Sequence, residues 1–201
     1  MSSYTLPYVV QQTPRGERTV DLYSRLLADR IVYLGTELDD GVANAVIAQL
    51  IHLTSENSEA PISLYVNSPG GSISAMLAVY DAMQFVAAPV HTTCVGQAAW
   101  TAAVLLAGGE PGHRSILPHG RVVLHQPATQ GRGSIPDLIV EAEEIARVRL
   151  LLEELLAHHT GRSAEQVRED TDRDLVLPAA AAVDYGIVDA VLSSQRAAYA
   201  G

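Results

Sequence analysis

Four short segments of the chain carry residues whose types suit the chemistry of acyl transfer. Gly70 and Gly71 follow an apolar run in "LYVNSPGG", His125 ends the apolar run "RVVLH", and Asp174 closes the acidic segment "DTDRD". Paired glycines let backbone N–H groups approach a ligand, and a His with a carboxylate partner can act as a general base. The fourth segment, "CVGQAAWTAAVLL", has the small residues that surround a nucleophile in several hydrolase folds, but Trp100 stands among them.

Each of these residues also has a plain structural interpretation. "SPGG" alone favours a tight turn, and a single His such as His125 is more often an ordinary hydrogen-bonded residue. Asp174, in an acidic loop, is most simply a solvated surface charge. The function therefore depends on what the four segments mean together.

The elements that must position these residues repeat one pattern. The sequence predicts a strand, a glycine turn and a helix over 61–86, and a strand, a small-residue turn and a helix over 89–109. Two consecutive units of this kind imply a spiral or layered α/β fold, with helix N-termini aligned along one edge of the sheet.

The other segments predict shorter elements around these two units. Residues 1–18 are polar, with Pro7, Pro14 and Gly16, and are typical of a flexible leader. The domain is expected to end near Leu192, which leaves 193–201 as a tail. We expect helices in 20–30, at about 40–55 and after a capping Ser163, short strands in 31–37 and 121–127, a mobile turn or irregular strand in 130–134, and a helix followed by a strand in 179–192.

The longest helical pattern covers 136–159, with Pro136 near its start and Gly161 after its end. Such a helix either completes the core or projects and packs on another subunit, and the pattern alone favours neither outcome. A broad apolar stripe runs along it, formed by Leu138, Ile139, Ile145, Val148, Leu151, Leu152, Leu155 and Leu156.

The composition argues against several classes of protein. With a net charge of −10 and a pI of about 5.0, the chain offers little electropositive surface to nucleic acid or an anionic membrane. Its single Cys94 forms no internal disulfide, and no Cys or His cluster has the spacing of metal ligands. No stretch reaches the roughly 18 apolar residues of a membrane helix. We therefore expect a cytoplasmic protein without a cofactor.

In the order "SPGG", "GQAA", "HQP" and "DTDRD", the segments resemble the Clp protease family, the proteolytic subunits of the ATP-dependent Clp protease. The resemblance runs from "RGERTVDLYSRLLADRIVYLG" to "AVDYGIVDAVL". It implies a crotonase/ClpP-like α/β spiral of strand–turn–helix units in 19–192, with an axial leader in 1–18. A protruding handle of about 126–160, built on the long helix, would interlock two seven-membered rings.

The resemblance also implies a catalytic site. His125 matches the base of a Ser-His-Asp triad and Asp174 its orienting partner, while Gly70, Gly71 and Thr101 match the oxyanion hole. The nucleophilic Ser of the family falls on Trp100, and an indole has no hydroxyl and fills space that a scissile bond needs. Thr101 is one helical residue further, a rotation of about 100° that should turn its hydroxyl away from His125.

Two partner surfaces follow from the same resemblance. Asp172 and Arg173 match a contact between the two rings. The pocket that receives loops of the hexameric Clp ATPase matches Ser63, Tyr65, Phe85, Thr93, Ser115 and Leu192. Three of these six residues are small and hydroxylated, which reduces the apolar area and predicts weak ATPase docking.

The sequence thus predicts a ClpP-like subunit that assembles with itself or with an active paralogue around unfolded polypeptide, but does not cut. Its role would be structural or regulatory, or resistance to an inhibitor that acylates the active Ser. One alternative is an ordinary Clp serine endopeptidase in which Trp100 is engineered. A more distant one is a crotonase-type acyl-CoA enzyme, which "HQP" and "DTDRD" disfavour.

Overall fold

A computed structural model describes residues 7–13, 16–125 and 134–193. The irregular segment expected at 130–134 and the tail at 193–201 lie almost wholly outside these residues. Within the described ranges, no helix is both long enough and apolar enough to cross a membrane.

Strands and helices alternate along most of the described chain. The strands are β1 (Tyr8–Thr13), β2 (Gly16–Asp21), β3 (Ile31–Leu34), β4 (Ile62–Ser68), β5 (Val90–Ala99), β6 (Arg114–Ile116), β7 (Arg121–Leu124), β8 (Leu175–Pro178) and β9 (Ala190–Val191). The helices are α1 (Leu22–Ala28), α2 (Asp40–Glu56), α3 (Ile73–Phe85), α4 (Thr101–Ala107), α5 (Ile135–Thr160), α6 (Ala164–Asp170) and α7 (Ala179–Tyr185).

A seven-stranded sheet lies at the centre of the fold. The strands β3, β4, β5, β6 and β9 are neighbours in that order, and each pair is parallel. The long β5 pairs with β6 over Thr92–Cys94 and with β7 over Gln97–Ala99. Strands β6 and β7 therefore lie beside different halves of β5. The predicted α/β spiral of strand–turn–helix units is confirmed, with β4 leading into α3 and β5 into α4.

Apolar side chains on one face of the sheet pack with those of the helices to form the core. Alternate residues of β4, such as Leu64 and Val66, are fully buried, and every residue of α4 is buried. Helices α2 and α3 begin at polar side chains that accept hydrogen bonds from the first turn, Asp39 from Val42 N–H and Ser72 from Ala75 N–H.

The amino-terminal leader differs from the expected flexible segment. Residues Tyr8–Thr13 and Gly16–Asp21 pair as an antiparallel hairpin, in register from Tyr8 with Asp21 to Thr13 with Gly16. The ladder satisfies backbone hydrogen-bonding groups without an apolar core, so a largely polar segment can form it. Composition therefore gave no sign of these two strands.

The two ends of the long helix α5 differ in burial. A capping box of Ser134 and Asp137 begins it, and Gly161 ends it in the left-handed conformation with φ 72°. Its first turns are exposed, Ile135 by 76%. Its last turns bury Leu152 and Leu156 in the core. The helix therefore completes the core at one end and projects from it at the other, the two outcomes that the pattern left open.

Candidate active site

Trp100 forms a strained elbow between β5 and α4. Its backbone has φ 49° and ψ −110°, a conformation that costs a residue other than glycine about 1–3 kcal/mol. The Trp100 N–H donates to Val123 O at 2.7 Å, and the Trp100 carbonyl accepts from Ala103 N–H at 2.9 Å to begin the helix. A sharp strand-to-helix turn of this kind is where hydrolases hold a nucleophile.

The glycine turn packs directly against this elbow. A Cβ atom on Gly70 would lie 2.7 Å from Ala99 O and 3.4 Å from Thr101 N, and one on Gly71 would overlap the backbone of Leu38. Both glycines are therefore required by close backbone approach, and both have positive φ. Thr101 is the first residue of α4, where N–H groups have no partner within the helix and face a developing negative charge favourably.

His125 lies beside the elbow. Because β5 and β7 are parallel, with Ala99 opposite Val123, their carboxyl ends reach the same edge of the sheet. The half-buried imidazole of His125 has its ring centroid 5.0 Å from that of the Trp100 indole, and the two rings are tilted by 30°. The structure thus brings these two predicted site residues into contact distance.

The end of the β7–β8 ladder indicates where Asp174 lies relative to His125. The antiparallel pair β7–β8 matches Leu124 with Leu175, so one further step sets His125 opposite Asp174, which is exposed. The turn before Asp174 is anchored by Thr171, whose hydroxyl donates to Val167 O at 2.7 Å. The structure therefore brings Gly70, Trp100, Thr101 and His125 together at the elbow. Gly71 lies in the same glycine turn, against Leu38, and Asp174 lies just beyond the end of the β7–β8 ladder.

A buried ion cluster near the elbow was missed from the sequence. Glu153 of α5 is only 4% exposed, and it accepts from Arg149 Nε at 2.7 Å and from Arg168 Nε at 2.9 Å. Burial alone would raise the pKa of Glu153, but the hydrogen bonds from Arg168 and Arg149 hold it below its ordinary value. The spacing of Arg149 and Glu153 was a signal of a helical pair. Nothing in the pattern pointed to Arg168.

Two other residues could be considered as nucleophiles near the elbow. Thr101 is fully buried, and its Oγ1 lies against the glycine turn, 3.1 Å from where a Gly70 Cβ would stand. Burial raises the pKa of the Cys94 thiol to about 11, so this side chain stays protonated at neutral pH. Among the described residues, no group of three or more His, Cys, Asp or Glu side chains is arranged to hold a metal ion.

The residues predicted to dock an ATPase lie largely on one face of the sheet. Strand register aligns Tyr65, Thr93 and Ser115 across β4, β5 and β6, and Thr93 Oγ1 lies 2.9 Å from Ser115 Oγ. Ser63 precedes Tyr65 by two residues and so shares its face. Leu192 is attached to β6 by its N–H, which donates to Ile116 O at 2.9 Å.

Phe85 and the predicted ring-contact residues stand at the surface. Phe85 ends α3 and is 88% exposed. Asp172 and Arg173 are exposed in the turn that follows α6, immediately before Asp174. Their position ties the predicted ring contact to the same turn that carries the predicted partner of His125.

Comparison with known proteins gives one consistent result. The Clp protease family matches residues 14–195. The chain is 62% identical to ATP-dependent Clp protease proteolytic subunit 1 of Nocardia farcinica, over 96% of this chain and 98% of the relative. It is 57% identical to proteolytic subunit 2 of Streptomyces avermitilis, over 98% and 99% of the two chains, and 55% identical to proteolytic subunit 4 of Rhodococcus jostii, over 96% and 100%. Each of these relatives is named as a proteolytic subunit of an ATP-dependent Clp protease.

Proposed function

The chain belongs to the Clp protease family, and we propose that it is a ring-forming proteolytic-subunit homologue that cuts no peptide itself. The observation that carries this proposal is the position of Trp100. Its side chain occupies the strained elbow beside His125, where active members of the family would present the hydroxyl of a serine.

The chemistry of the elbow supports an inactive site. Acyl transfer needs an atom that attacks the carbonyl carbon, and an indole provides only an N–H donor. His125, Asp174 and the glycine turn would still supply a base, an orienting carboxylate and backbone donors. The site thus keeps the groups that assist the nucleophile and replaces the nucleophile.

The substitutes close to the elbow do not restore this function. The hydroxyl of Thr101 lies against Gly70, and its N–H would serve the oxyanion position. The thiol of Cys94 is buried within β5 and holds its proton at neutral pH. Neither residue offers an accessible, activated atom to a peptide bond.

Assembly is the second part of the proposal. We assign the chain to stacked seven-membered rings in the cytoplasm, formed with itself or with an active paralogue, around unfolded polypeptide. The exposed apolar residues Ile135, Ile139 and Val140 on the projecting end of α5 suit burial against another subunit. The numbered names of the relatives imply that their organisms have more than one such subunit, which supports mixed rings.

The docking face supports a weak interaction with a Clp ATPase. Ser63, Thr93 and Ser115 have hydroxyl groups at positions where larger apolar side chains would give an apolar docking loop more contact. Docking therefore removes less apolar area from water. An active paralogue in the opposite ring would then supply the main docking surface. In such rings the chain would fix subunit composition or withhold a target from inhibitors that acylate serine.

The test uses the purified full chain alone and mixed with an active Clp paralogue from the same source. Native mass spectrometry measures assembly, and a fluorogenic peptide measures cleavage. We expect rings that contain the chain, no cleavage by the chain alone, and no covalent adduct with a serine-directed β-lactone. Cleavage by the unmodified chain would contradict the proposal. If the β-lactone silences mixed rings as completely as the paralogue alone, the resistance role is wrong.

A further inference from the structure

Two histidines stack against each other on neighbouring strands of the sheet. His91 belongs to β5, and His113 comes directly before β6. Because β5 and β6 are parallel, with Thr92 opposite Arg114, the two histidines occupy the preceding pair of opposite positions. Their ring centroids are 4.0 Å apart, and the ring planes differ by only 3°. Two imidazoles therefore stand side by side on the same side of the sheet.

Hydrogen bonds hold the backbone at both histidines. The N–H of Thr92, next to His91, donates to His113 O at 3.2 Å. The turn before β6 is closed by the His113 N–H, which donates to Glu110 O at 3.0 Å. The same turn is tied to β5 by the Glu110 N–H, which donates to Val90 O at 2.8 Å. The two Cα atoms are therefore fixed at the spacing of neighbouring strands, and only side-chain rotation has to adjust to a ligand.

Both imidazoles can be reached from solution. His91 is half-buried and His113 is exposed. Burial and the neighbouring His113 lower the pKa of His91, and Glu110 acts in the opposite direction. His91 is therefore uncharged at neutral pH, and an uncharged imidazole has the nitrogen lone pair that binds a transition metal.

The spacing of the two rings suits a shared metal ion. Zn²⁺ binds imidazole nitrogen at about 2.0–2.1 Å, so a tetrahedral ion holds two such nitrogens about 3.3 Å apart. Rings with centroids 4.0 Å apart reach this spacing by rotation about their side-chain bonds. No third His, Cys, Asp or Glu side chain joins the pair within the described ranges, so water would complete the coordination.

We propose that His91 and His113 form a binding site for a divalent transition-metal ion of the Zn²⁺ class, with water in the remaining coordination positions. Ser63 of β4 is opposite His91 in the strand register, so the ion lies at the border of the predicted docking face. There it adds positive charge to a chain whose net charge is −10. The inference depends neither on Trp100 nor on whether the chain cuts peptides.

The first test is a calorimetric titration of the full chain, prepared without a polyhistidine tag, with zinc chloride. We expect one Zn²⁺ to bind per chain. His91→Gln and His113→Gln each remove one of the two ligands, and each should weaken binding at least about tenfold. Magnesium chloride should give no binding, because Mg²⁺ prefers oxygen ligands.

Two matched variants separate this pair from the other histidines. His119→Gln removes a single exposed imidazole. His158→Gln breaks a second pair of neighbouring rings, in which His158 and His159 have centroids 4.9 Å apart. Both variants should bind Zn²⁺ as the unmodified chain does. No binding by the unmodified chain, or an unchanged affinity in either His91→Gln or His113→Gln, would overturn the proposal.

Thermal unfolding gives an independent readout of the same site. Zn²⁺ at ten times its dissociation constant should raise the Tm of the unmodified chain by about 3 °C. It should leave the Tm of the double variant His91→Gln/His113→Gln unchanged, and equal shifts in the two proteins would contradict the site. None of these measurements records peptide cleavage or ring composition, so the metal site and the proposed function can fail separately.

Discussion

Arg114 and Asp189 form an ion pair with hydrogen bonds of 2.6 and 3.1 Å between guanidinium and carboxylate. The same guanidinium donates to Ala107 O at 3.2 Å and to His159 O at 2.8 Å, the last turns of α4 and α5. The buried guanidinium of Arg114 thus caps the carboxyl ends of two helices, α4, which begins at the elbow, and α5.

Removal of this cation should strongly destabilise the fold. Arg114→Met leaves Asp189 with backbone N–H donors only and leaves two helix carbonyls without the guanidinium, which costs about 3 kcal/mol. For a chain of this size that corresponds to a fall in Tm of roughly 6–12 °C, measured by calorimetry. The control Arg121→Met removes an exposed cation that donates to Gln97 Oε1 at 3.2 Å, and it should shift the Tm little. Equal shifts in the two variants would contradict this role of Arg114.

The stability of the chain should fall in mild acid because of His159. Burial, aided by His158 and Arg114, lowers the pKa of His159 from 6.5 to about 4. Between these two values the unfolded chain binds a proton that the native chain does not, so the free energy of unfolding decreases as the pH falls from 6.5 to 4.

Denaturant unfolding at several pH values checks this prediction. His159→Gln retains a partner for the Tyr80 hydroxyl, which lies 2.7 Å from His159 Nε2, and it should lose less stability on acidification than the unmodified chain. The control His52→Gln alters an exposed imidazole on α2 and should follow the unmodified chain. Parallel pH profiles for all three proteins would show that His159 does not contribute.

A more apolar docking face should bind a Clp ATPase more tightly. Thr93→Ile exchanges a hydroxyl next to Ser115 for hydrocarbon on the half-buried face of β5. We expect an increase in affinity of about fivefold, measured by interferometry on assembled rings. Thr36→Ile, on an exposed loop, is the matched control. If the two variants bind the ATPase equally well, Thr93 is not part of the docking surface.

The turn after α6 should matter for ring stacking. Arg173→Ala removes an exposed cation from this turn, and we expect native mass spectra to shift from double rings to single rings or smaller species. Arg25→Ala, which breaks an exposed pair with Asp29, should leave the assembly unchanged. Intact double rings with Arg173→Ala would exclude the predicted contact.

Local patterns in the sequence accounted for most of the fold. The units over 61–86 and 89–109 could be predicted because turn glycines separate apolar strands from helices of regular period. Ser163 and Gly161 marked helix ends for the same reason. The short strands β6 and β8 escaped prediction because three or four residues carry too little pattern, and their partners are distant in the chain.

The candidate site was only partly accessible to the same reasoning. Each of Gly70, His125 and Asp174 also had a purely structural interpretation. Only their order along the chain, through its resemblance to a family, indicated that they form one site. The structure adds what order does not contain, such as the attachment of Arg168 to Glu153 across 15 residues and of Arg114 to Asp189 across 75. Pairings of that kind depend on tertiary packing, which periodicity does not encode.

The central claim is that only the nucleophile is missing from the site, and the gain-of-function variant Trp100→Ser tests it most directly. Cleavage of a fluorogenic peptide by assembled rings should rise at least about 10³-fold over the unmodified chain. It should be absent in Trp100→Ala and in the double variant Trp100→Ser/His125→Ala, whose assembly is checked in parallel. If assembled Trp100→Ser stays silent, or if the unmodified chain cleaves as fast, the account of Trp100 is wrong.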